Sequence, residues 1–296
     1  MLATLVPRPF HKEGWVYEEK YDGYRILAYK EGRKVTLLSR NAKDRTESFS
    51  EVARGVASLP ARALLLDGEV VAFDGDLVSR FQLLQQGNVP FVYAVFDCLY
   101  RDGRDLRREP LPVRRAALEE AIGKTDHLFA SRRLPKNGLD AYRFARKKGF
   151  EGLIAKDVSA PYFEGRSSRW LKVKVHQEEE FVIGGYTEPA GTRTHFGALL
   201  LGAYRGSDLF YVGKVGTGFS EKTLASLHST FRRLVRKTPP FVNPPREKRP
   251  AWLKPRLVAQ IAFHEWTHDR KLRQPVFLGL RDDKKPGECV LPGGKR

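Results

Sequence analysis

The chain has 296 residues, 41% of them hydrophobic and 30% charged, with a net charge of +18. That length exceeds the needs of one modest domain, and the apolar share supports a real core. No apolar run approaches the ~18 residues of a membrane span, and the opening MLATLVPRPFHKEG lacks the longer apolar stretch of a signal peptide.

Residues 15–40 alternate apolar and polar in YRILAY and KVTLLS around a KEGRK turn, which predicts strands. FSEVARGVASL (49–59) has helical spacing. ALLLDGEVVAFD (63–74) predicts strand, Asp-Gly turn, strand, and PFVYAVFDCLY (90–100) a long buried strand. LPVRRAALEEAIG (111–123) predicts a helix with a glycine stop, and LDAYRFARKKG (139–149) another. FEGLIAKD and RWLKVKV predict short strands beyond it. From HQEEEFVIGGYTEP (176–189) onward the character changes to short strands with Gly-rich turns: FVIGGYT, FGALLLGAY, LFYVGKVGTGF. A helix is expected over 221–237, then a Pro-rich basic segment (238–256), then a last strand, LVAQIAFHEWT. The pattern is that of an α+β protein with a domain at 1–176 and a small β-barrel at 177–296.

The charge is spread over both halves. Residues 177–296 hold 21 basic and 12 acidic residues, so +9, and the other +9 lies in residues 1–176. A polyanion such as nucleic acid is the natural partner, although a solubility charge has the same composition. The two cysteines, Cys98 and Cys289, form neither a zinc spacing nor a disulfide framework, as expected of incidental thiols in a reducing cytoplasm.

YEEKYDGYR (17–25) sets Lys20 among two glutamates, an aspartate, an arginine and three tyrosines. A lysine amine is a nucleophile only when deprotonated, and its free pKa of about 10.4 must then be lowered by nearby positive charge. Lys172 and Lys174 in WLKVK are candidates for that charge. Strand alternation puts both on one face, which could line a phosphate site or simply face solvent. Glu69 in LDGEV and Glu151 in FEGLIAK are carboxylates able to hold a divalent metal if the fold brings them together, though each motif alone is common turn chemistry. Phe96 reads from periodicity as a core aromatic, and an aromatic at a strand end can also stack on a base. Arg281 and Lys284 flank two aspartates in RDDK, a charged loop able to orient leaving phosphates.

In chain order these are EEKYDGYR, SRNAKD, DGEV, FD, EGLIAK, WLKVK and RDDK, spanning residues 18–284. The ordered set resembles the covalent nucleotidyltransferases, and specifically the ATP-dependent DNA ligases. MLATL, FVIGGYTEP, FGALLLGAY, VGKVGTGFS and LRQPVFLGLRDDK look like the ligase module of bacterial ligase D. The resemblance implies an adenylating domain with antiparallel sheets and flanking helices, followed by an OB barrel. It implies that Lys20 attacks the α-phosphate of ATP, that AMP passes to a DNA 5′-phosphate, and that a 3′-hydroxyl then displaces it. It assigns Glu18 to the adenine amine and Phe96 to the base. Arg25 and Arg40 go to the ribose-phosphate side and the DNA end, and Glu69 to the ribose or metal. Glu151 goes to the catalytic metal, Lys172 and Lys174 to the α-phosphate, and Arg281 and Lys284 to the pyrophosphate. Asp22 helps place the 3′ end or metal. The metal implied is Mg²⁺ or Mn²⁺. The partners implied are nicked or broken duplex DNA, the bacterial Ku protein and an end-joining polymerase, with a monomeric enzyme at the bacterial nucleoid and no membrane. Because Lys20 and RDDK fall in different domains, a domain closure is implied.

Two other readings compete. An RNA ligase or a GTP-using capping-type enzyme shares part of the motif set, but LRQPVFLGLRDDK and the ligase-D-like barrel segment favour DNA. A non-catalytic nucleic-acid-binding OB protein suits the charge, but has no reason to keep Lys20, Glu69, Glu151, Lys172, Lys174 and Lys284 together.

Overall fold

The computed structural model describes residues 1–86, 89–123, 125–175, 177–189 and 194–292. It divides into two units, Met1–Val175 and His176–Arg296. Among the described residues no helix is long and apolar enough to cross a membrane.

The first unit is built from two sheets. In chain order its elements are β1 (Leu2–Leu5), β2 (Trp15–Lys20), β3 (Tyr24–Glu31), β4 (Lys34–Ser39), α1 (Ser50–Ser58), β5 (Ala63–Val71) and α2 (Phe81–Gln86). Then follow β6 (Val92–Arg101), β7 (Arg104–Asp105), α3 (Leu111–Ile122), β8 (Leu128–Ala130), α4 (Gly138–Lys148), β9 (Gly152–Asp157) and β10 (Arg166–Lys174). One sheet has the order β1-β10-β9-β2, the other β4-β3-β5-β6-β7 with β8 beside β6. Alternation along β3 sends Ile26 and Ala28 into a core shared with Val52 and Val56 of α1 and Leu118 and Ile122 of α3. In the other sheet, Leu153 and Val173 face Ala141 and Ala145 of α4. Each sheet therefore spends one face on helices. The helices stop where sequence chemistry says they should. Asn137 accepts from the Leu139 and Asp140 amides at the start of α4, and Gly149 ends it in the left-handed region at φ +73°.

The expected turn at Asp67-Gly68 is absent, and β5 runs unbroken from Ala63 to Val71 with a bulge at that point. The glycine is needed for closeness. A Cβ at Gly68 would lie 2.5 Å from the Tyr93 ring and 2.6 Å from the Ala94 carbonyl. Glu69 accordingly sits within a strand, directly opposite Arg25.

The second unit contains β11 (Gln177–Tyr186), β12 (Leu199–Arg205), β13 (Asp208–Val215), α5 (Glu221–Phe231), β14 (Val235–Arg236), β15 (Ala251–Phe263) and β16 (Val276–Leu280). The sheet order is β13-β12-β11-β15-β14, with β16 also on β15. Single backbone bonds from Leu272 to Val212 and from Phe277 to Thr217 link the β16 side back to β13, which is the curl expected of a small barrel. The helix expected over 221–237 ends at Phe231, because Val235 and Arg236 pair with Leu253 and Trp252. Strand β15 begins at Ala251, inside the Pro-rich segment, and β16 rather than β15 is the last strand.

Candidate active site

Lys20 closes β2 on the polar face of the first sheet. Register places Lys20 opposite Gly152 and Gly152 opposite Lys174, so the two lysines share a row. The next row holds Glu18, Ile154 and Lys172, and the next joins Lys156 to Trp170. Period-2 alternation thus delivers a lysine nucleophile candidate and its surrounding charges to one face from three separate stretches of chain. Gly152 is required in this row, since a Cβ there would meet the Val173 carbonyl at 2.1 Å. Gly23 serves a similar purpose in the loop after Lys20, where a Cβ would meet the Val70 carbonyl at 2.2 Å and the Glu69 side chain at 3.0 Å.

The Lys20 ammonium donates to the Glu151 carboxylate, and Lys174 lies 3.9 Å from the same group. Burial alone would lower the Lys20 pKa, but Glu151, the hydrogen bond it accepts, and the charges of Asp22 and Glu69 outweigh burial and raise it. Lys172 and Lys174 were candidates for lowering that pKa. Those lysines act on Glu151 instead. Together with Lys20 they hold its carboxyl below the usual range against the upward push of burial. Lys20 therefore stands as a protonated amine paired with Glu151.

Asp22 is buried and anchored: its amide donates to Ser79 Oγ and its carboxylate accepts from the Phe81 amide, both at 3.0 Å. Glu151 contacts the Lys20 ammonium, and Asp22 and Glu69 add their charge to it; these carboxylates are the oxygen donors suited to a hard divalent cation. Among the described residues no three His, Cys, Asp or Glu side chains stand grouped at ligating positions, so such a cation would complete its shell with phosphate oxygens and water.

Deeper on the same face, Glu18 is buried and accepts from Lys156 Nζ and Ser131 Oγ, each at 2.7 Å. Lys156 also donates to the Phe96 carbonyl at 3.2 Å, and its Nζ lies 5.0 Å from the Phe96 ring and 4.3 Å from the Trp170 ring. Phe96 and Trp170 meet edge to face at 5.8 Å. From the second sheet, Arg25 holds the fully buried Asp67 through two bonds of 3.0 and 2.6 Å, and its guanidinium lies 5.4 Å from the Phe96 ring. Tyr162 donates to the same aspartate at 2.7 Å. Phe96 is thus half-buried where the two sheets meet, edged by cations, rather than a plain core residue.

The structure brings Glu18, Lys20, Asp22, Arg25, Glu69, Phe96, Glu151, Lys172 and Lys174 together in the first unit. Arg40 is exposed just past β4 and lines a groove with Arg25. Arg281 and Lys284 belong to the second unit. Arg281 is buried, held by Asp283 through two 2.8 Å bonds and by Gln260 at 2.8 Å, and Lys284 lies 3.4 Å from Glu180. Four residues of this site were not singled out from sequence: Lys156, Trp170, Asp67 and Tyr162. Lys156 was legible, since it continues the alternation of Gly152 and Ile154.

Glu19 points to the opposite face of β2, in the row of Leu153. Burial pushes its carboxyl up to about 7, against the pull of Arg132 at 3.3 Å. A carboxyl raised in the folded state contributes its full stability below the usual 4.5 and loses it as pH rises through about 7. Glu19→Gln is therefore expected to stabilise the first unit by roughly 2 kcal/mol at pH 8 and by little at pH 5. Thermal melts at the two pH values measure the difference.

Comparison with known proteins gives concordant matches. The family profile described as "ATP dependent DNA ligase domain" matches residues 1–174, and "ATP dependent DNA ligase C terminal region" matches residues 192–284. The multifunctional non-homologous end joining protein LigD of Pseudomonas aeruginosa is 38% identical over 98% of this chain, which spans 36% of that protein. A DNA ligase of Thermococcus fumicolans is 33% identical over 92% of this chain and 53% of its own length. Among solved structures, a mycobacterial DNA ligase D complexed with ATP and MES superposes with a TM-score of 0.73, at 34% identity and 98% coverage of both chains.

Proposed function

Since the chain belongs to the ATP-dependent DNA ligase family, we propose that it seals 5′-phosphate/3′-hydroxyl breaks in duplex DNA through AMP carried on Lys20. The observation that carries this assignment is the row Lys20–Gly152–Lys174, with Glu151 bridging the two lysines. In the first step Lys20 Nζ, after releasing a proton to solvent, attacks the α-phosphorus of ATP. A phosphorus–nitrogen bond forms, the bond to the bridging oxygen breaks, and pyrophosphate leaves. In the second step an oxygen of the DNA 5′-phosphate attacks that phosphorus and the lysine nitrogen leaves, regaining a proton. In the third the 3′-hydroxyl attacks the DNA phosphorus and AMP departs. Transfers of this kind depend on charge neutralisation and alignment more than on covalent chemistry from the protein.

Each side chain then has a task. Phe96 stacks on adenine, and Glu18, fixed by Lys156 and Ser131, presents its carboxylate to the base edge. Arg25, held in line by Asp67 and Tyr162, serves the ribose together with Glu69. Lys172 and Lys174 neutralise the α-phosphate. Arg40 serves the DNA end, and Asp22 the 3′ end or the metal. A divalent cation on Glu151, when bound, supplies positive charge that lowers the pKa of the neighbouring amine and offsets the triphosphate. Lys284 is assigned to the pyrophosphate during the first step, with Arg281 anchoring its loop through Asp283. This requires the second unit to close on ATP. The barrel and the 238–256 segment are assigned to DNA phosphates, in keeping with the +9 charge of residues 177–296.

The relatives whose names mention non-homologous end joining favour a role at double-strand breaks, with a bacterial Ku protein and a polymerase as partners. The chain spans little over a third of those relatives. The test is sealing of matched nicked and blunt-ended duplexes, and of a nicked RNA duplex, by the purified chain with ATP. Sealing of DNA nicks, abolished by EDTA and restored by Mg²⁺ or Mn²⁺, is expected. Sealing confined to RNA, or supported by GTP alone, contradicts the assignment.

A further inference from the structure

A groove of about 1050 Å³ opens in the first unit away from Lys20. Arg25, Leu27 and Tyr29 reach it from one face of β3, the face opposite Ile26 and Ala28. Its walls are the 105–108 and 161–165 loops, joined by a 2.8 Å bond from the Tyr162 amide to the Arg107 carbonyl. Lys20, Glu151, Lys172 and Lys174 do not line it, so it is not the transfer site, although it shares Arg25 and Arg40 with that region.

We propose that this groove binds single-stranded DNA, taking the unpaired strand beside a break; the identity of the strand rests on the ligase reading above. Two features select the occupant. Arg40, Arg107 and Arg108 join Arg25 along the groove; Asp67 holds Arg25, Asp105 holds Arg107 and Glu164 adds a third carboxylate, so the four arginines leave a net positive charge. Asp105 grips Arg107 through its guanidinium, which fixes where that charge points. Between these cations stand two exposed rings, Tyr29 at 42% and Phe163 at 49%. Bases within a duplex already have their faces covered by stacking, so open rings gain little from it. Unpaired bases gain about 1–3 kcal/mol each on such a ring, regardless of sequence. An apolar groove for a peptide would not carry four arginines, and a phosphate site alone would not need the rings. The volume exceeds that of a typical one-ligand pocket, roughly 300–1,000 Å³, and admits more than one nucleotide.

The experiment measures fluorescence anisotropy of a short labelled single-stranded oligodeoxynucleotide with the full chain. The variants are Tyr29→Ala/Phe163→Ala, Tyr29→Trp/Phe163→Trp and Arg108→Ala. The double alanine variant is expected to lose about 30-fold or more in affinity for the single strand, and to change less than about two-fold for a blunt duplex of equal length. The double tryptophan variant keeps wild-type binding. Arg108→Ala weakens binding and reduces the salt slope by about one phosphate contact. Wild-type affinity of the double alanine variant for the single strand, or an equal loss for the duplex, overturns the proposal. Self-adenylation with labelled ATP is measured in parallel. Its absence in the wild type strikes the ligase reading, whereas unchanged single-strand binding in the alanine variant strikes the groove alone.

Discussion

Lys20→Ala is expected to reduce ATP-dependent sealing of a nicked duplex by about 10⁴-fold or more. A nick supplied with AMP already on its 5′-phosphate should be sealed at a rate far nearer the wild type. The asymmetry follows from the chemistry. In the proposed reaction the amine is the attacking atom in the first step and the leaving atom in the second, but forms no bond in the third. Removal of the side chain also strips the buried Glu151 of its main partner and leaves it with Lys174 at 3.9 Å. Lys20→Arg is the control for that loss, because a guanidinium preserves the charge beside Glu151 while being unable to carry AMP. Equal loss in both variants on the ATP-dependent reaction, with both retaining the AMP-primed reaction, identifies the missing atom as the nucleophile. Rapid-quench assays on the two substrates provide the rates.

Arg114→Ala is expected to destabilise the first unit by about 3–5 kcal/mol. Arg114 and Asp97 are both fully buried and meet through bonds of 2.7 and 3.0 Å. The same guanidinium donates to the Glu109 carbonyl at 2.7 Å and the Ala160 carbonyl at 2.9 Å. It therefore ties α3 to β6, next to Phe96, and to the loop that leads from β9 towards Tyr162. Truncation leaves a buried carboxylate uncompensated and two carbonyls without their donor. Replacing both partners by Arg114→Met and Asp97→Leu removes the uncompensated charge and should recover part of the loss. Denaturant unfolding followed by fluorescence should show one transition shifted and a second unmoved, because the second unit has its own core around Phe181, Leu201 and Phe231.

The order of the short motifs made the family legible, and hydrophobic alternation made most strands legible. What escaped was long-range. Asp67-Gly68 reads locally as a turn, yet Gly68 is demanded by the Tyr93 ring and Asp67 by an arginine 42 positions away. Lys156 pairs with a glutamate 138 positions away, a contact no window of sequence contains. The 221–237 helix failed for a related reason: pairing of Val235 with Leu253 outweighed helix-compatible local chemistry. The charges around Lys20 are also long-range: WLKVK offers two lysines as candidate neighbours. In the fold they lean on Glu151, and three carboxylates govern Lys20.

The most direct test of a lysine-borne AMP uses ATP labelled at the α-phosphate with a divalent cation and freshly stripped protein, followed by denaturing electrophoresis and peptide mapping. Label that survives denaturation, maps to the peptide containing YEEKYDGYR and is chased off by unlabelled pyrophosphate or by nicked DNA is the predicted result. Label on another peptide, or none on stripped wild-type protein with either cation, contradicts the account of Lys20 as the nucleophile.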